Sequence, residues 1–224
     1  MYDASPDMKG GPVKTLRERY STAVLDSMAR MRKSMPLIRK AGEMLAAAKD
    51  AGGRLLVYDR TIALSLDCWT RGSGLYDIHI YGYSRKEFVD GDALILASYE
   101  TGDPGDIKIA RELKAKANTR LVTISPHKSA KKPGPETALH TFADIGIDNG
   151  LTDTGGALGG KGISGAVLPC SREINFTINW AVQCEYIQRM IELGKPPTLF
   201  YLVHFPYFKE IDAVMKKRVA KYGY

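Results

Sequence analysis

The apolar positions change period twice along the chain, dividing it into helical ends and a strand-rich middle. From Tyr20 to Lys33 they fall at Tyr20, Val24, Met28 and Met31, the three-and-four spacing that lays one stripe along a helix. Pro36 breaks or restarts that helix, and a second one, rich in Ala and Leu, runs from Leu37 to Ala51. Gly52-Gly53 ends it, since glycine takes the left-handed C-cap conformation without a Cβ penalty. Short apolar runs bounded by turn residues follow at Leu55–Tyr58, Ile78–Tyr81, Ala93–Ala97, Leu121–Ile124 and Ile145–Ile147, and each reads as a strand. Between the third and fourth, Asp106–Ala117 has helical period through Ile107, Ile109, Ala110 and Leu113. A strand, helix, strand unit implies parallel pairing with a right-handed crossover.

Further on, seven glycines in the sixteen residues Gly150–Gly165 read as a loop. Arg172–Leu193 is a long helix with Ile174, Ile178, Ala181 and Val182 on one side and Phe176, Trp180, Cys184, Ile187 and Ile191 on another, a girth suited to burial on two sides, as at a subunit interface. Gly194-Lys195-Pro196-Pro197 stops it, Leu199–Val203 reads as a strand or extended segment, and Phe208–Tyr222 as a basic terminal helix. The expected fold is α/β, a three-layer αβα sandwich on a five-stranded parallel sheet of flavodoxin-like or Rossmann-like type, preceded by N-terminal helices. Residues 1–15 are expected to be a flexible N-terminus and 16–224 one domain. In such a sheet the ligand site lies outside the carboxyl ends of the strands, near the point where strand order reverses, here just after Tyr58, Ala97, Ile124 and Ile147.

With 224 residues, 44% apolar and 25% charged, the composition is that of an ordinary globular domain and excludes disordered and fibrous classes. Apolar stretches fall far short of the roughly 20 residues that cross a bilayer, and Met1–Pro12 has no apolar core of a secretory signal. Cys68, Cys170 and Cys184 stand at no metal-ligand spacing, so reduced thiols and a cytoplasmic location are expected. The net charge of +7 sits at the ends: nine Lys/Arg against four Asp/Glu in residues 1–40, five against two in 208–224, and eighteen against nineteen between. No aromatic strand, zinc knuckle or recognition helix accompanies it, so these charges read as solvated helix faces and not as a nucleic-acid surface.

The richest stretch for chemistry runs from Asp92 through Ser98, Glu100, Thr101, Gly102 and Asp103 to Leu113, a buried strand passing through hydroxyl residues into a helix. Asp103, Pro104 and Asp106 have the chemistry of an N-cap, a first helical residue and an acidic third residue. Capping leaves Ser98 and Thr101 unexplained; with the amides of the helix start they would hold an anion or sugar oxygens.

This order of elements, with the Ser98 turn and the segment Ala143-Asp144-Ile145-Gly146-Ile147-Asp148-Asn149-Gly150, resembles the sugar isomerase (SIS) domain, and within it the phosphosugar-binding SIS proteins. The resemblance spans roughly residues 16 to 215 and is clearest from Gly91 to Leu193. It implies a phosphosugar held by hydroxyls after the first and third strands, in a homodimer or homotetramer, without a cofactor. The family's Ser-x-Ser-Gly-x-Thr turn begins at Ser98, its second serine falling on Glu100, or on Thr101 followed by Gly102 if one residue is inserted. Its first-strand turn falls on Tyr58-Asp59-Arg60-Thr61, without the glycines. The expected ligand-binding set is Arg60, Thr61, Ser98, Thr101, Gly102, Asp103 and Ser125. Asp59, Glu100 and Asp103 would repel a phosphate unless Arg60 compensates; they would also suit a divalent cation, although no metal is expected.

Aldose-ketose isomerisation moves a proton between adjacent carbons through an enediol and needs a base. The candidates are Glu100 in the ligand turn, Asp67 after the first strand, Glu185 in the long helix and His127 after the fourth strand. His140 and His204 have no carboxylate or cysteine at useful spacing, and no Gly-x-Ser-x-Gly elbow marks a hydrolase. The expected function is binding of a sugar phosphate or related carbohydrate derivative, with isomerase activity as its catalytic form; the alternative is a non-catalytic sugar-responsive sensor or interaction protein.

Overall fold

The computed structural model describes residues 15–60, 64–65, 68, 74–76, 78–128, 134, 137–151, 156–160, 163–200 and 207–223, with 156–160, 163–169 and 208 as backbone alone. Helix α1 (Leu16–Met31) opens with a capping box in which Thr15 Oγ1 accepts the Glu18 N–H and the Glu18 carboxylate accepts the Thr15 N–H. A 3-10 turn (Arg32–Ser34) leads straight into α2 (Met35–Asp50). Pro36 thus restarts the helix, sitting in its first turn, where a missing N–H costs nothing.

The strands are β1 (Leu55–Asp59), β2 (Gly74–Leu75), β3 (Ile78–Ile80), β4 (Ala93–Ala97), β5 (Arg120–Ser125), β6 (Ile145–Asp148), β7 (Gly156–Gly160), β8 (Ile163–Pro169) and β9 (Leu199–Phe200). Three further helices are α3 (Pro104–Lys114), α4 (Ser171–Glu192) and α5 (Phe208–Tyr222). Five strands make one wholly parallel sheet in the order β3-β1-β4-β5-β6. Side chains alternate between its faces. Leu55, Val57, Ile95, Ala97, Val122 and Ile124 pack with α2 and α4, whereas Leu56, Leu94, Leu96 and Leu121 pack with Ile107, Ala110 and Leu113 of α3. The result is the three-layer α/β architecture expected from the unbroken apolar runs, which suit strands covered on both faces.

One detail differs from the sequence reading. The glycine-rich stretch Gly150–Gly165 is not simply a loop, because it holds β7 and the start of β8, an antiparallel hairpin with Gly156 opposite Pro169 and Leu158 opposite Val167. Glycine weakens a strand, and here backbone pairing with β8 holds it in the hairpin. Within Leu199–Val203, Leu199–Phe200 form β9, paired antiparallel with β2; residues 201–203 lie outside the described set. Among the described residues no helix is long and apolar enough to cross a membrane.

Candidate functional site

Strand β1 pairs with β3 on one side and β4 on the other, so the chain leaves β1 in opposite directions before and after β3. That reversal opens a crevice at the carboxyl ends of β1 and β4. Asp59, the last residue of β1, is 1% exposed. Its carboxylate accepts N–H bonds from Leu64 (3.3 Å) and Ser65 (2.8 Å) and the Ser65 hydroxyl (2.7 Å), so it ties down the chain that follows.

Across the crevice, Asp103 caps α3 as expected: its Oδ1 accepts the N–H groups of Gly105 (2.8 Å) and Asp106 (3.0 Å). Its Oδ2 meets Arg60 Nη1 at 2.5 Å. A Cβ on Gly105 would stand 2.8 Å from Arg60 Nη2, so glycine there makes room for the guanidinium. The free amides of this helix start are therefore held by a carboxylate from the chain itself.

Ser98 is buried. Its Oγ lies 2.7 Å from the Glu100 carbonyl oxygen and 2.5 Å from Asp106 Oδ2, and it accepts the Glu100 N–H at 3.2 Å. Burial pushes the Asp106 carboxyl up to about 6; the Ser98 contact and Arg60 oppose this, while Asp103 and Asp59 add to it. Its Oδ1 is buried without a hydrogen-bond partner. Thr101, also buried, has Oγ1 3.3 Å from His140 Nδ1, and its carbonyl accepts the Leu139 N–H.

His140 stacks on His127, ring centroids 4.2 Å apart. Gly146 of β6 permits this approach, since a Cβ there would lie 3.0 Å from His140 Cβ and 3.5 Å from His127 Nε2. Burial and the neighbouring His140 hold the His127 ring below the usual histidine range, with Asp148 pulling the other way, and Nε2 is buried without a partner. The backbone N–H of His127 donates to Asp148 Oδ1 at 3.2 Å. Ser125, fully buried at the end of β5, has no partner for its hydroxyl.

On the other face of the sheet, α4 lays Ser171, Asn175, Asn179 and Gln183 along one buried stripe at four-residue spacing. Asn149 Nδ2 donates to Asn175 Oδ1 (2.8 Å), and Asn175 Nδ2 donates to the Ser98 carbonyl (3.2 Å). The side-chain amides of Asn179 and Gln183 donate to Cys68 Sγ at 3.1 and 3.5 Å. The Ser171 Oγ, Asn179 Oδ1 and Gln183 Oε1 atoms remain unpartnered and buried.

Of the residues singled out from sequence, the structure brings Arg60, Ser98, Thr101 and Asp103 to the crevice between β1 and β4 and Ser125 and His127 to the end of β5 beside it. Gly102 is exposed at the rim of a cavity of about 360 Å³ that also meets Lys108, Arg111 and Thr137. Glu100 is exposed and joins the site through its backbone. Glu185 is half-buried against Gly42 of α2, about 15 Å along the helix from Asn175 at 1.5 Å per residue. Thr61 and Asp67 lie outside the described residues. Sequence reasoning passed over His140 as a partner, Asp106 as more than a capping residue, and the amide stripe of α4. For the stripe a signal existed, since four polar residues recur every fourth position in a helix otherwise chosen for its apolar girth. For the histidine pair none did, because the two rings come from segments that meet only in the fold. Among the described residues no group of three or more His, Cys, Asp or Glu side chains is arranged to hold a metal ion.

No family model and no curated protein matches the chain. Solved structures do: 28 chains match, and one of them, described as the crystal structure of a hypothetical protein, is 15% identical over 87% of this chain and 93% of its own, with a TM-score of 0.47.

Proposed function

We propose that this chain binds a carbohydrate derivative at the carboxyl ends of β1, β4 and β5, as its resemblance to the sugar isomerase domain implies, with a sugar phosphate as the first ligand class and a homodimer or homotetramer in the cytoplasm as its working form. The observation that carries the reading is the set of buried hydroxyl, imidazole and carboxyl groups there that have no partner: Ser125 Oγ, His127 Nε2 and Asp106 Oδ1. Buried polar atoms are nearly always satisfied in proteins, and a polyol supplies both donors and acceptors. Arg60 and, at the rim cavity, Lys108 and Arg111 offer charge to a phosphate group.

In its catalytic form the site would move a proton from C2 of the open-chain sugar to a base, leaving an enediol that takes a proton back at C1. His127 is the candidate best suited to this, because its depressed proton affinity keeps the ring neutral near pH 7 and its Nε2 is uncommitted. Glu100 is exposed and Glu185 lies down the helix, so both rank behind it.

A second reading, a non-catalytic sugar-responsive sensor, draws on the internal commitments of the ligand turn. The Ser98 hydroxyl is taken by Asp106 and the Glu100 carbonyl, and the α3 amides by Asp103. Thermal denaturation against sugar phosphates and their unphosphorylated counterparts tests binding, since a ligand at 100 times its Kd stabilises by about 2.7 kcal/mol. A flat panel overturns the proposal. With a ligand in hand, solvent deuterium entering at C1 of the ketose product in D₂O, lost in His127→Gln, identifies an isomerase; stabilisation without exchange identifies the sensor.

A further inference from the structure

A second cavity lies well away from the sheet's carboxyl edge. Pro196 to Leu199 run as a strap beside α5 and enclose with it a cavity of about 650 Å³, its wall formed by Pro197, Leu199, Ile211, Val214 and Met215, with Glu210 and Arg218 also meeting it. The strap is fixed on both sides. The Thr198 carbonyl accepts the Tyr76 N–H at 3.0 Å, β9 pairs with β2, and Arg218 Nη2 donates to the Pro196 carbonyl at 2.6 Å. Thr198 and Met215 are buried, whereas Val214 on the outer wall is 66% exposed, so the cavity has a firm floor and an open side. Its volume and apolar lining with few polar groups are those of a small-molecule site.

The polar groups say what kind. Arg218 has a carbonyl as its hydrogen-bond acceptor and an aromatic face, Tyr222, 5.8 Å from its guanidinium carbon; among the described residues no carboxylate pairs with it, and its Nε is buried without an acceptor. A guanidinium carries five N–H donors and a permanent charge, and its natural complement is a carboxylate. Glu210 stands eight residues earlier on the same helix, about 12 Å away along the axis, where it disfavours a second anionic group. We infer that this cavity binds a small amphipathic monocarboxylate, its head on Arg218 and its aliphatic body against Leu199, Ile211, Val214 and Met215.

Isothermal titration of the full chain with octanoate, 1-octanol and octylammonium tests this, the three probes sharing one apolar body. Octanoate is expected to bind one per chain and about tenfold more tightly than the alcohol, a difference of 1.4 kcal/mol, with the ammonium weakest. Arg218→Gln should bring octanoate down to the alcohol's affinity, and Arg218→Lys should keep most of the preference. Val214→Trp, placed on the exposed wall where it does not disturb the core, should block both ligands while leaving the melting temperature unchanged. Absence of octanoate binding overturns the inference, and so does equal affinity for octanoate and octanol, or octanoate binding undiminished in both Arg218→Gln and Val214→Trp.

Discussion

Ser98 Oγ touches two acceptors, the Glu100 carbonyl and Asp106 Oδ2, yet a hydroxyl has one proton to give. The proton that Ser98 offers to Asp106 favours the ionised carboxylate, and burial of the carboxyl outweighs it. The net result is a proton affinity of about 6 for Asp106 against 3.8 for an exposed aspartate, set first by burial. The fold thus favours the protonated acid, so this group's contribution to stability is full below pH 4 and is lost as the pH rises through 6. Two pH units correspond to about 3 kcal/mol. Asp106→Asn keeps a donor toward Ser98 and removes the ionisation. Its stability relative to the parent chain is expected to rise between pH 4 and pH 7, by about 1 to 3 kcal/mol at the upper end, in urea denaturation at each pH. A constant difference across that range would mean that Asp106 does not titrate within the fold. Residue-level reading of the sequence found Asp103, Pro104 and Asp106 as the start of α3, because capping depends on neighbours three positions away. It did not find the Ser98–Asp106 contact, since that depends on how the first turn of α3 docks beside the end of β4.

At the scale of elements, the packing of α2 on α4 turns on one residue. A Cβ at Gly42 would fall 2.4 Å from Glu185 Cβ and 2.7 Å from the Tyr186 nitrogen, so the two helices cross in near backbone contact. Gly42→Ala improves helix propensity by roughly 1 kcal/mol in isolation, but here it must push two buried helices apart, and overpacking of that kind costs about 1 to 3 kcal/mol or more. A net loss of stability is expected in chemical denaturation, and a gain would show that the crossing is looser than described. The amide link between α4 and the sheet behaves differently. Asn175→Ala leaves the Asn149 side chain without its acceptor and the Ser98 carbonyl without its donor, a buried loss of about 1 to 3 kcal/mol each; Asn175→Asp keeps the acceptor and should recover part of it. The elements themselves were largely legible, because period and turn residues decide them locally. The hairpin β7–β8 was not, since its glycines speak for a turn and only pairing across the hairpin makes them strand.

For the whole molecule, the decisive feature is that each central strand serves two cores. Leu56 faces α3 while Leu55 and Val57 face α2 and α4; Leu94 and Leu96 face the first core, and Ile95 and Ala97 the second. Neither core can dissolve without stripping the sheet that the other needs. A chain of 224 residues is longer than those for which two-state unfolding is the rule, yet this sharing argues for one transition. The strand order and its switch point, which place the candidate site, follow from the same parallel pairing that the unbroken apolar runs announced; the occupant of the site was not legible, because recognition depends on side chains drawn from five separate segments. Leu45→Ala in the α2 core and Leu113→Ala in the α3 core each remove a fully or nearly buried side chain and should each cost about 2 to 5 kcal/mol. Far-ultraviolet circular dichroism reports all the helices, and in a Trp69→Phe background the remaining tryptophan, Trp180 on α4, reports one layer. If the cores are coupled through the strands, either substitution moves both signals together to the same new midpoint. If Leu113→Ala shifted the circular dichroism and left the Trp180 fluorescence midpoint where it was, the α3 layer would be unfolding on its own.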